Sequence, residues 1–486
     1  MRETISFLLG RTHVTLRDVD PTLTVLEYLR TVARRCGTKE GCAEGDCGAC
    51  TVVLGELEDG ALRYRAVNAC IMFVPALDGR QLLTVEDLQA PDGALHPVQQ
   101  ALVEHHGSQC GFCTPGFVMS LFAMRQEARP AERAAINDGL AGNLCRCTGY
   151  RPIVDAAMQV LEEQAPDPVK EQRGATEAAL RGCDTGGTLA LEAAGTRFFA
   201  PRDLDTFAHL FAANPEATLL AGGTDVGLWV TKQHRRIPLL ISTESVAGLR
   251  AVETGAGQIS IGAAVRYEDA LGVLAAHWPS FGALLRRLGS RQIRNRGTIG
   301  GNLGNASPIG DSAPALLALD ARLVLRRDVE RREVPLDDFF TGYRTTILQP
   351  GEFIERILVP LPAGEQHFRA YKVAKRFDQD ISAVCGAFRV DRTGGTVRDI
   401  RIAFGGMAAT PVRARRTEAL LRGGDWSEAS VTAAMEMLAD EFTPLSDWRA
   451  SADYRRRVAR NLLFKFWLET TGETARTHVL QAEDVA

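Results

Sequence analysis

The sequence lacks the signals that would place a protein in a membrane, on nucleic acid or in the secretory pathway. No run of 18 or more apolar residues occurs, which predicts that no segment spans a bilayer. The net charge of −4 disfavours nucleic acid or an anionic membrane surface as a partner. The first residues contain neither the apolar core nor the small-residue cleavage site of a secretory signal. We therefore expect a cytoplasmic protein.

Two common nucleotide-binding motifs are absent as well. No G-x-G-x-x-G follows a predicted strand and no G-x-x-x-x-G-K-[ST] occurs, so neither a Rossmann site nor a P-loop is supported. No Ser/His/Asp constellation can be nominated, and we predict no catalytic side chain. With 486 residues, of which 45% are hydrophobic and 24% charged, the chain is expected to form three or four globular domains.

Cysteine is present in number and in clusters. The chain has 11 cysteines, and nine of them lie within the first 150 residues. Eight of these nine fall into spaced groups: Cys42, Cys47, Cys50, Cys70, Cys110, Cys113, Cys145 and Cys147. Disulfides are uncommon in a reducing cytosol, so the clustering favours metal ligation. The other three, Cys36, Cys183 and Cys385, are predicted to be small buried hydrophobic residues.

The first cysteine group lies in a glycine-rich loop. Its spacing, Cys42-x4-Cys47-x2-Cys50 with a later Cys70, is typical of plant-type [2Fe–2S] ligation. Glycines at 41, 45 and 48 permit the positive φ angles and the close approach that a loop needs to wrap around an inorganic core. We predict that this loop binds a [2Fe–2S] cluster and that Cys70 arrives from a neighbouring strand.

The second group consists of Cys110-x2-Cys113 and Cys145-x-Cys147. Both pairs lie beside predicted helix starts, where a helix N-terminus stabilises the negative charge of a thiolate-ligated cluster. A structural zinc site with four cysteines remains the alternative, although a C-x-C pair is less usual for zinc. Next to the first loop, we favour a second [2Fe–2S] cluster.

Apolar periodicity predicts the elements around these cysteines. Residues 4–10 and 13–18 read as a β-hairpin, and Val25, Leu26, Leu29, Val32 and Ala33 form one apolar helical face. Two further strands near residues 51–57 and 64–74 complete a small mixed sheet crossed by that helix. Four amphipathic segments between residues 96 and 164 predict a helical bundle.

The remainder of the chain has a different character. Residues 165 to about 196 show little pattern, which is typical of an interdomain linker. Strands and glycine-rich turns follow, and after about residue 365 strands precede two helical stretches that end near Thr470. That order predicts a separate α+β domain at the C-terminal end.

Two glycine-rich stretches could bind an anion. "LLAGGTDV" (residues 219–226) ends an apolar strand and offers backbone N–H groups and a hydroxyl to a phosphate. "TIGGNLGNASPIGD" (residues 298–311) could do the same, with Asn302 and Asn305 as directional hydrogen-bonding groups. Each stretch taken alone is equally compatible with an ordinary turn.

Six motifs in this order carry a resemblance to a known family. They are "GCAEGDCGACTV", "GSQCGFCTPGFVMS", "AGNLCRCTGYRPI", "LLAGGTDV", "TIGGNLGNASPIGD" and "RIAFGGMA". Together they resemble the xanthine dehydrogenase family of molybdenum hydroxylases, in particular the small subunit of its bacterial two-chain form. The fusion of two cluster segments to a flavin segment, together with "KRFDQDIS", favours the xanthine-type members.

The resemblance implies a multidomain α+β protein. The expected domains are a ferredoxin-like β-grasp [2Fe–2S] domain (1–82), a four-helix [2Fe–2S] domain (83–164), a linker (165–195), an FAD-binding α+β domain of the vanillyl-alcohol-oxidase type (196–364) and a C-terminal α+β flavoprotein domain (365–486).

The resemblance also implies contacts with FAD. Carried onto matching positions, they fall on Leu219, Leu220, Ala221, Gly222, Gly223, Thr224, Asp225, Val226, Leu288, Thr298, Gly301, Asn302, Asn305, Asp311, Ile354 and Lys372. The eukaryotic members have phenylalanine where this chain has Leu288, so contacts with the flavin ring differ there. Gln109 would face the pterin of a partner subunit.

The implied function is electron transfer. Nothing in this sequence corresponds to the molybdenum-binding region of the family, so the resemblance implies a large molybdopterin-binding partner, two copies of each subunit (α2β2), and purine hydroxylation on the partner. Electrons would pass through both clusters to FAD and then to NAD+. Two alternatives stay open: the equivalent chain of a hydroxylase for aldehydes or other N-heterocycles, and a zinc-stabilised scaffold whose glycine-rich loops are plain turns.

Overall fold

The structure, a computed structural model, describes residues 1–90, 92–163, 165–184, 186–472 and 477. The chain forms two compact units. The first unit consists of Met1–Gly248, Arg266–Glu268 and Gly289–Thr298, and the second consists of Leu249–Val265, Asp269–Leu288 and Ile299–Ala486. Strands and helices are numbered along the chain.

The first unit begins with a five-stranded mixed sheet. Its strands are β1 (Ile5–Leu9), β2 (Thr12–Leu16), β3 (Thr51–Glu58), β4 (Ala61–Asn68) and β5 (Gln81–Leu83), in the order β2-β1-β5-β3-β4. β1 and β5 are parallel, and the other neighbours are antiparallel. The predicted hairpin is β1–β2, and the β-grasp fold is confirmed.

β1 is buried on both faces. Ile5, Phe7 and Leu9 pack in one core with the helical residues Val25 and Leu29. The intervening residue of the strand, Leu8, points into the second core, which is shared with the helices described next. Because side chains alternate across a strand, one short strand joins two cores.

The helix across the sheet is only partly α-helical. α1 (Val25–Glu27) continues directly into a π-helical turn, Tyr28–Val32. Val32, predicted on the apolar face, is 59% exposed, and that part of the prediction is wrong. The wider π turn rotates the last residues away from the face that an α-helix would continue.

The four predicted amphipathic helices are present. They are α2 (Pro97–Glu104), α3 (Thr114–Gln126), α4 (Arg133–Leu140) and α5 (Arg151–Glu162). α2 begins with a capping box, in which His96 and Gln99 exchange side-chain bonds with each other's backbone N–H. Nearly every residue of α3 from Gly116 to Met124 is buried, so α3 forms the centre of the bundle.

The segment predicted as a patternless linker contains two helices, α6 (Pro168–Glu171) and α7 (Arg173–Cys183). α7 buries Leu180 and Cys183, and the carboxylate of Glu177 accepts a 3.0 Å hydrogen bond from the backbone N–H of Leu62. The segment is therefore partly helical, although its sequence shows no clear periodicity. α7 has too few buried apolar residues to show a periodic face.

A second sheet and three helices complete the first unit. The strands are β6 (Leu189–Ala193), β7 (Thr196–Ala200), β8 (Thr218–Leu220) and β9 (Leu239–Ser242), in the order β6-β7-β9-β8. The helices are α8 (Leu204–Ala213), α9 (Val226–Thr231) and α12 (Arg291–Arg294). β7, β9 and β8 run parallel, so the glycine-rich residues 221–225 lie at the carboxyl end of a parallel strand.

The second unit contains an antiparallel sheet, a small hairpin and four helices. The sheet has the order β10-β11-β16-β12-β13: β10 (Val252–Gly255), β11 (Gln258–Gly262), β12 (Arg322–Arg327), β13 (Glu330–Pro335) and β16 (Phe353–Pro360). The hairpin is β14 (Phe340–Gly342) with β15 (Thr345–Thr346), and the helices are α10 (Tyr267–His277), α11 (Pro279–Arg286), α13 (Ile299–Gly304) and α14 (Ser312–Ala318).

The C-terminal part of the second unit is an α+β layer. Its sheet is β17 (Gln366–Val373), β18 (Val384–Thr393), β19 (Thr396–Gly405) and β20 (Val412–Arg413), followed by α15 (Arg415–Leu421), α16 (Glu428–Ala439) and α17 (Ala452–Thr470). Phe388, Phe404 and Phe466 form the centre of the core between sheet and helices. Three helices occur where two were predicted, and the last ends at Thr470 as expected.

Single helical turns connect several elements: Val74–Leu77, Val85–Asp87, Ala247–Leu249 and Leu336–Asp338. Among the described residues, none of the helices has the length and apolar content needed to cross a bilayer.

Candidate functional site

The structure brings the first four cysteines together. Cys42 and Cys47 lie in the loop before β3, Cys50 directly precedes β3, and Cys70 follows the end of β4. The thiols of Cys47 and Cys70 donate hydrogen bonds to the sulfur of Cys42, and Cys70 also contacts Cys50. The two cysteines next to the strands are buried, and the two in the loop are half-buried. This is the arrangement predicted for a loop with a fourth ligand from a neighbouring strand.

Backbone N–H groups surround the sulfur of Cys42. Those of Asp46 and Cys47 donate over 3.3 Å each, and that of Glu44 donates over 3.5 Å. The thiols of Cys47 and Cys70, together with these N–H groups, hold the pKa of Cys42 far below its usual value. The pKa values of Cys47 and Cys70 are raised, first because both donate to Cys42 and second because of burial. The loop thus stabilises a thiolate, which is the form that ligates iron.

Glycine is required at the positions that the sequence indicated. Gly45 and Gly48 have φ values of +81° and +70°, the left-handed region that glycine adopts without strain. A Cβ at Gly41 would lie 2.7 Å from the sulfur of Cys47. The loop therefore approaches its own thiols more closely than a chain with side chains could.

The second four cysteines form two contacting pairs. The thiol of Cys113 is hydrogen-bonded to Cys145, and that of Cys147 to Cys110. Cys113 is the residue before α3, and Cys147 lies four residues before α5, so both pairs adjoin helix N-termini as predicted. Cys110 and Cys147 are exposed, whereas Cys113 and Cys145 are half-buried.

In this group the sulfur of Cys145 accepts most of the hydrogen bonds. Burial raises its pKa, but donors outweigh burial and lower it: the Thr148 hydroxyl at 3.2 Å and the N–H groups of Cys147 and Thr148 at 3.4 and 3.5 Å. Burial and the bond to Cys145 raise the pKa of Cys113 to about 12. Within each group, one sulfur collects N–H donors, as bridging and ligating sulfurs of iron–sulfur clusters do.

The donor set fits a two-iron core. Each group supplies four thiols in contacting pairs, and all 11 cysteines of the chain are free. Within the described part of the chain, these thiols do not converge as a group that could hold a single metal ion, so the fit to a two-iron core rests on the number and the chemistry of the donors. The eight cysteines would hold two [2Fe–2S] clusters, one per group, and this assignment of ligands stays a prediction. A bound cluster would supply one-electron redox chemistry.

The three remaining cysteines differ from one another. Cys183 and Cys385 are buried, as predicted, and burial raises the pKa of each. Cys36 is exposed, so the prediction that it is buried is wrong. It lies after the π-helical turn, where the chain has already left the core.

The second cysteine group lies in an apolar surface. Phe112, Leu144 and Tyr150, its neighbours in sequence, are 48%, 41% and 40% exposed. Gln109, predicted to face a partner's pterin, is also exposed. Exposed aromatic and aliphatic side chains around a redox group are typical of a protein-binding surface.

Part of the predicted flavin site lies in the first unit. Residues 219–226 run from the last two residues of β8 to the first residue of α9, and they are half-buried except for Leu220, which is buried. Gly223 has a φ of +75°, and a Cβ at Gly222 would collide with the carbonyl oxygen of Arg296. The carboxylate of Asp225 accepts a 3.2 Å bond from the indole of Trp229, which fixes the end of the loop. Thr298 is buried in the same unit.

The other predicted flavin contacts lie in the second unit: Leu288, Gly301, Asn302, Asn305, Asp311, Ile354 and Lys372. Asp311 and Lys372 form a buried ion pair at 2.5 Å, and the hydroxyl of Ser382 donates to the other oxygen of Asp311. Asn302, on α13, accepts a 2.8 Å bond from Ser312 at the start of α14. Each of these flavin contacts stays a prediction.

Sequence reasoning missed the residues that support these groups. Ser382 and Ser312 hold predicted contacts in place, and Arg287 donates a 3.0 Å bond to the carbonyl oxygen of Lys372 while lying over the ring of Phe377. Serine and arginine at such positions carry no spacing signal. Only the fold brings them to their partners.

Four protein families match the chain. They are described as the 2Fe-2S iron-sulfur cluster binding domain (residues 8–75), the [2Fe-2S] binding domain (84–158), the FAD binding domain in molybdopterin dehydrogenase (193–362) and the CO dehydrogenase flavoprotein C-terminal domain (369–470).

Similar proteins include xanthine dehydrogenases. The chain is 33% identical to that of Drosophila subobscura, with 99% of this chain and 40% of that protein covered. It is 31% identical to the xanthine dehydrogenase/oxidase of Gallus gallus, over 96% of this chain and 40% of that protein. The chain thus spans about two fifths of the length of the curated relatives it matches.

Solved structures of two other enzymes are similar in fold. A chain of carbon monoxide dehydrogenase from Hydrogenophaga pseudoflava matches with a TM-score of 0.53 and 29% identity, over 55% of this chain and 94% of that one. A chain of quinoline 2-oxidoreductase from Pseudomonas putida matches with a TM-score of 0.52 and 26% identity, over 57% of this chain and 97% of that one.

Proposed function

The chain belongs to the molybdenum hydroxylase family that includes xanthine dehydrogenase, with two [2Fe–2S]-binding domains and an FAD-binding domain, and we propose that it is the electron-transfer subunit of a xanthine dehydrogenase. One observation carries the proposal: two groups of four cysteines lie in one compact unit, and in each group one sulfur accepts hydrogen bonds from backbone N–H groups.

The proposed direction of transfer follows from exposure. Cys110 and Cys147 are at the surface, whereas Cys50 and Cys70 are buried inside the first unit. Electrons from xanthine or hypoxanthine, released at a molybdenum centre on a partner subunit, would enter at the exposed group, pass to the buried group, and reach FAD and then NAD+. Cofactors supply this chemistry, and the protein supplies position and electrostatics.

The proposed partner is a larger molybdopterin-binding subunit. The apolar surface of Phe112, Leu144 and Tyr150, with Gln109 beside it, would pack against that subunit and exclude water from the exposed cysteines. A heterotetramer with two copies of each subunit (α2β2), in the cytoplasm, is the proposed assembly.

We propose FAD contacts in each of the two units. Residues 219–226 at the end of β8 would bind the pyrophosphate through backbone N–H groups and the hydroxyl of Thr224. The Asp311–Lys372 pair of the second unit, neutral as a pair, would offer FAD a hydrogen-bonding edge without an unpaired buried charge.

Reconstitution with and without the partner tests the proposal. Anaerobically purified chain should contain about four irons and one FAD, and should absorb visible light in overlapping iron–sulfur and flavin bands. Alone it should oxidise NADH with an artificial acceptor, and it should reduce NAD+ with xanthine only when combined with a molybdenum-containing subunit. A colourless protein with zinc, or xanthine turnover by the chain alone, would contradict the proposal.

A second candidate follows from the solved structures. The carbon monoxide dehydrogenase and quinoline 2-oxidoreductase chains are similar in fold to this one. The same cofactor chain could therefore serve a hydroxylase for aldehydes or other N-heterocycles. The complex separates the two candidates: oxidation of aldehydes or quinoline, with xanthine and hypoxanthine untouched, would favour the second.

A further inference from the structure

A short polar segment from late in the sequence is buried in the first unit. Gly289–Thr298 belongs to that unit and contains α12. Arg291, Gln292, Arg294, Asn295 and Arg296 on this segment are each at most 6% exposed. Five polar residues among six consecutive positions are rarely buried unless each of them has a specific partner.

The side chain of Gln292 lies among three polar side chains of the two cysteine-containing domains. Its Nε2 donates to the Oδ1 of Asn143 at 3.0 Å, and to the hydroxyls of Thr51 and Ser120 at 3.2 Å each. Thr51 donates its own proton to the carbonyl of Gly48, and Ser120 donates its proton to Asn143. Both hydroxyls can only accept from Gln292, so the amide nitrogen must face them.

These partners adjoin both cysteine groups. Thr51 follows Cys50 directly, and Asn143 stands two residues before Cys145. Asn143 also donates to the carbonyl of Gly48 at 3.1 Å, and the N–H of Leu144 donates to the carbonyl of Cys47 at 3.0 Å. The two cysteine loops are therefore bonded to each other, and Gln292 is bonded to residues of both.

The backbones at this junction are in direct contact. A Cβ at Gly48 would collide with the carbonyl of Gly142, one at Gly116 with the carbonyl of Gly48, and one at Gly142 with the Oε1 of Gln292. That Oε1 is buried and accepts no hydrogen bond within the described residues. An unsatisfied buried acceptor destabilises the fold, so the hydrogen bonds of the amide nitrogen hold Gln292 in place.

We propose that Gln292 is a positioning residue that fixes the separation of the two cysteine groups. The proposal rests on the proposed function, in which each group binds a [2Fe–2S] cluster. In the step concerned, the cluster at Cys110, Cys113, Cys145 and Cys147 loses one electron and the cluster at Cys42, Cys47, Cys50 and Cys70 gains it. No bond or proton changes, so separation and potentials set the rate.

Gln292→Ala in the full chain, combined with its partner subunit, tests the proposal against Gln81→Ala. Gln81 is an ideal control because it is equally buried, donates one bond to the carbonyl of Gly10, and also has an Oε1 without a donor. Electron paramagnetic resonance of the fully reduced protein measures the spin–spin coupling between the clusters, which depends on their separation.

The Gln292→Ala variant should retain both clusters and change this coupling, whereas Gln81→Ala should leave it as in the wild type. Because the rate of electron transfer falls as the separation of the two groups increases, we expect inter-cluster transfer in Gln292→Ala to slow severalfold. Unchanged coupling and rate in Gln292→Ala, or an equal change in Gln81→Ala, would overturn the proposal.

A second variant covers the case in which Gln292→Ala does not fold. Ser120→Ala removes one acceptor of Gln292 and leaves the other two, so it should change the coupling in the same direction but less. A folded Ser120→Ala protein with unaltered coupling would overturn the proposal. Iron content distinguishes a failure of the proposed function from a failure of the role proposed for Gln292. Fewer than about four irons in the wild type would contradict the function. About four irons together with unaltered coupling in the variants would contradict only the role of Gln292.

Discussion

The same residue type serves opposite purposes in this chain, and local donors decide which. The sulfur of Cys42 collects three backbone N–H groups and two thiols, so its pKa falls. Cys385, which is fully buried and donates to the backbone carbonyl of Asp311, has its pKa raised by burial and by the nearby carboxylate of Asp311. Thiolate chemistry therefore belongs to the two cysteine groups, and the core cysteines act as small apolar side chains.

At this scale, replacing one exposed thiol tests the ligand assignment. Cys147→Ser should lower the iron content by about two irons, because a [2Fe–2S] cluster needs four thiolates. FAD should stay bound, and purine-dependent reduction of NAD+ should be lost. The exposed Cys36→Ser is the matched control and should change neither iron content nor turnover. Normal NADH formation by Cys147→Ser would contradict the relay.

Adding one methyl group tests the contact between the two loops. Gly48→Ala should prevent formation of both clusters, because its Cβ would collide with the carbonyl of Gly142. Alanine would also have to adopt the left-handed backbone conformation of this position. Gly60→Ala shares the positive φ, +78°, but has nothing within 4 Å, so it should cost only about 1 kcal/mol. Iron content and thermal unfolding distinguish the two variants. Equal effects of the two substitutions would show that the collision with the Gly142 carbonyl is not what makes Gly48 necessary.

At the scale of elements, the sequence pattern predicted those helices and strands that depend on residues close in sequence. The β1–β2 hairpin and the four helices α2–α5 are set by residues close in sequence, and both were predicted correctly. Helix α7 and the burial of Gly289–Thr298 were not predicted, because both depend on distant partners. A polar stretch such as Arg291–Arg294 reads as surface until Glu127 and Glu268 are known to face it.

The contact of α7 with the β3–β4 hairpin gives a prediction for that element. Glu177→Ala removes the acceptor of the Leu62 N–H and should lower the free energy of unfolding. Hydrogen exchange at the Leu62 amide should become faster, while exchange in the β1 strand should stay slow. Glu171→Ala, on exposed α6, serves as the control. Unchanged protection of the Leu62 amide would show that α7 does not hold the hairpin.

At the scale of the whole first unit, a buried ionic network joins the two sheets. Glu56 and Glu244 lie among Arg80, Arg266 and Arg296, and every member is at most 11% exposed in its side chain. Burial opposes ionisation of Glu244, but Arg296, Arg80 and Arg266 outweigh burial and lower its pKa to about 2. Breaking such a network leaves charges uncompensated, which is costly in an interior.

This network predicts how the first unit responds to acid. A carboxyl whose pKa is lower in the folded chain stabilises the fold above its unfolded pKa, and that stabilisation is lost as the pH falls through the folded pKa. For Glu244 the loss runs from about pH 4.5 down to about pH 2, and the shift of Glu56 has the same sign. Urea unfolding between pH 7 and pH 3 should show constant stability above about pH 5 and a decline below it.

A single substitution in the network should have a large effect at neutral pH. Glu244→Gln should lower the free energy of unfolding by roughly 3–5 kcal/mol, because Arg296 loses its buried counter-charge. Glu253→Gln, which breaks an exposed pair with Arg356, should cost less than about 1 kcal/mol. Similar losses in the two variants would show that burial does not set the strength of these pairs.

The insertion of Gly289–Thr298 among earlier residues limits how the protein can be divided. A truncated chain ending after α5 would contain every predicted cluster ligand, yet it would leave Thr51, Ser120 and Asn143 facing solvent where Gln292 belongs. The first unit therefore includes a segment that follows part of the second unit in sequence. Synthesis must pass residue 298 before the iron-binding half can complete its own interior.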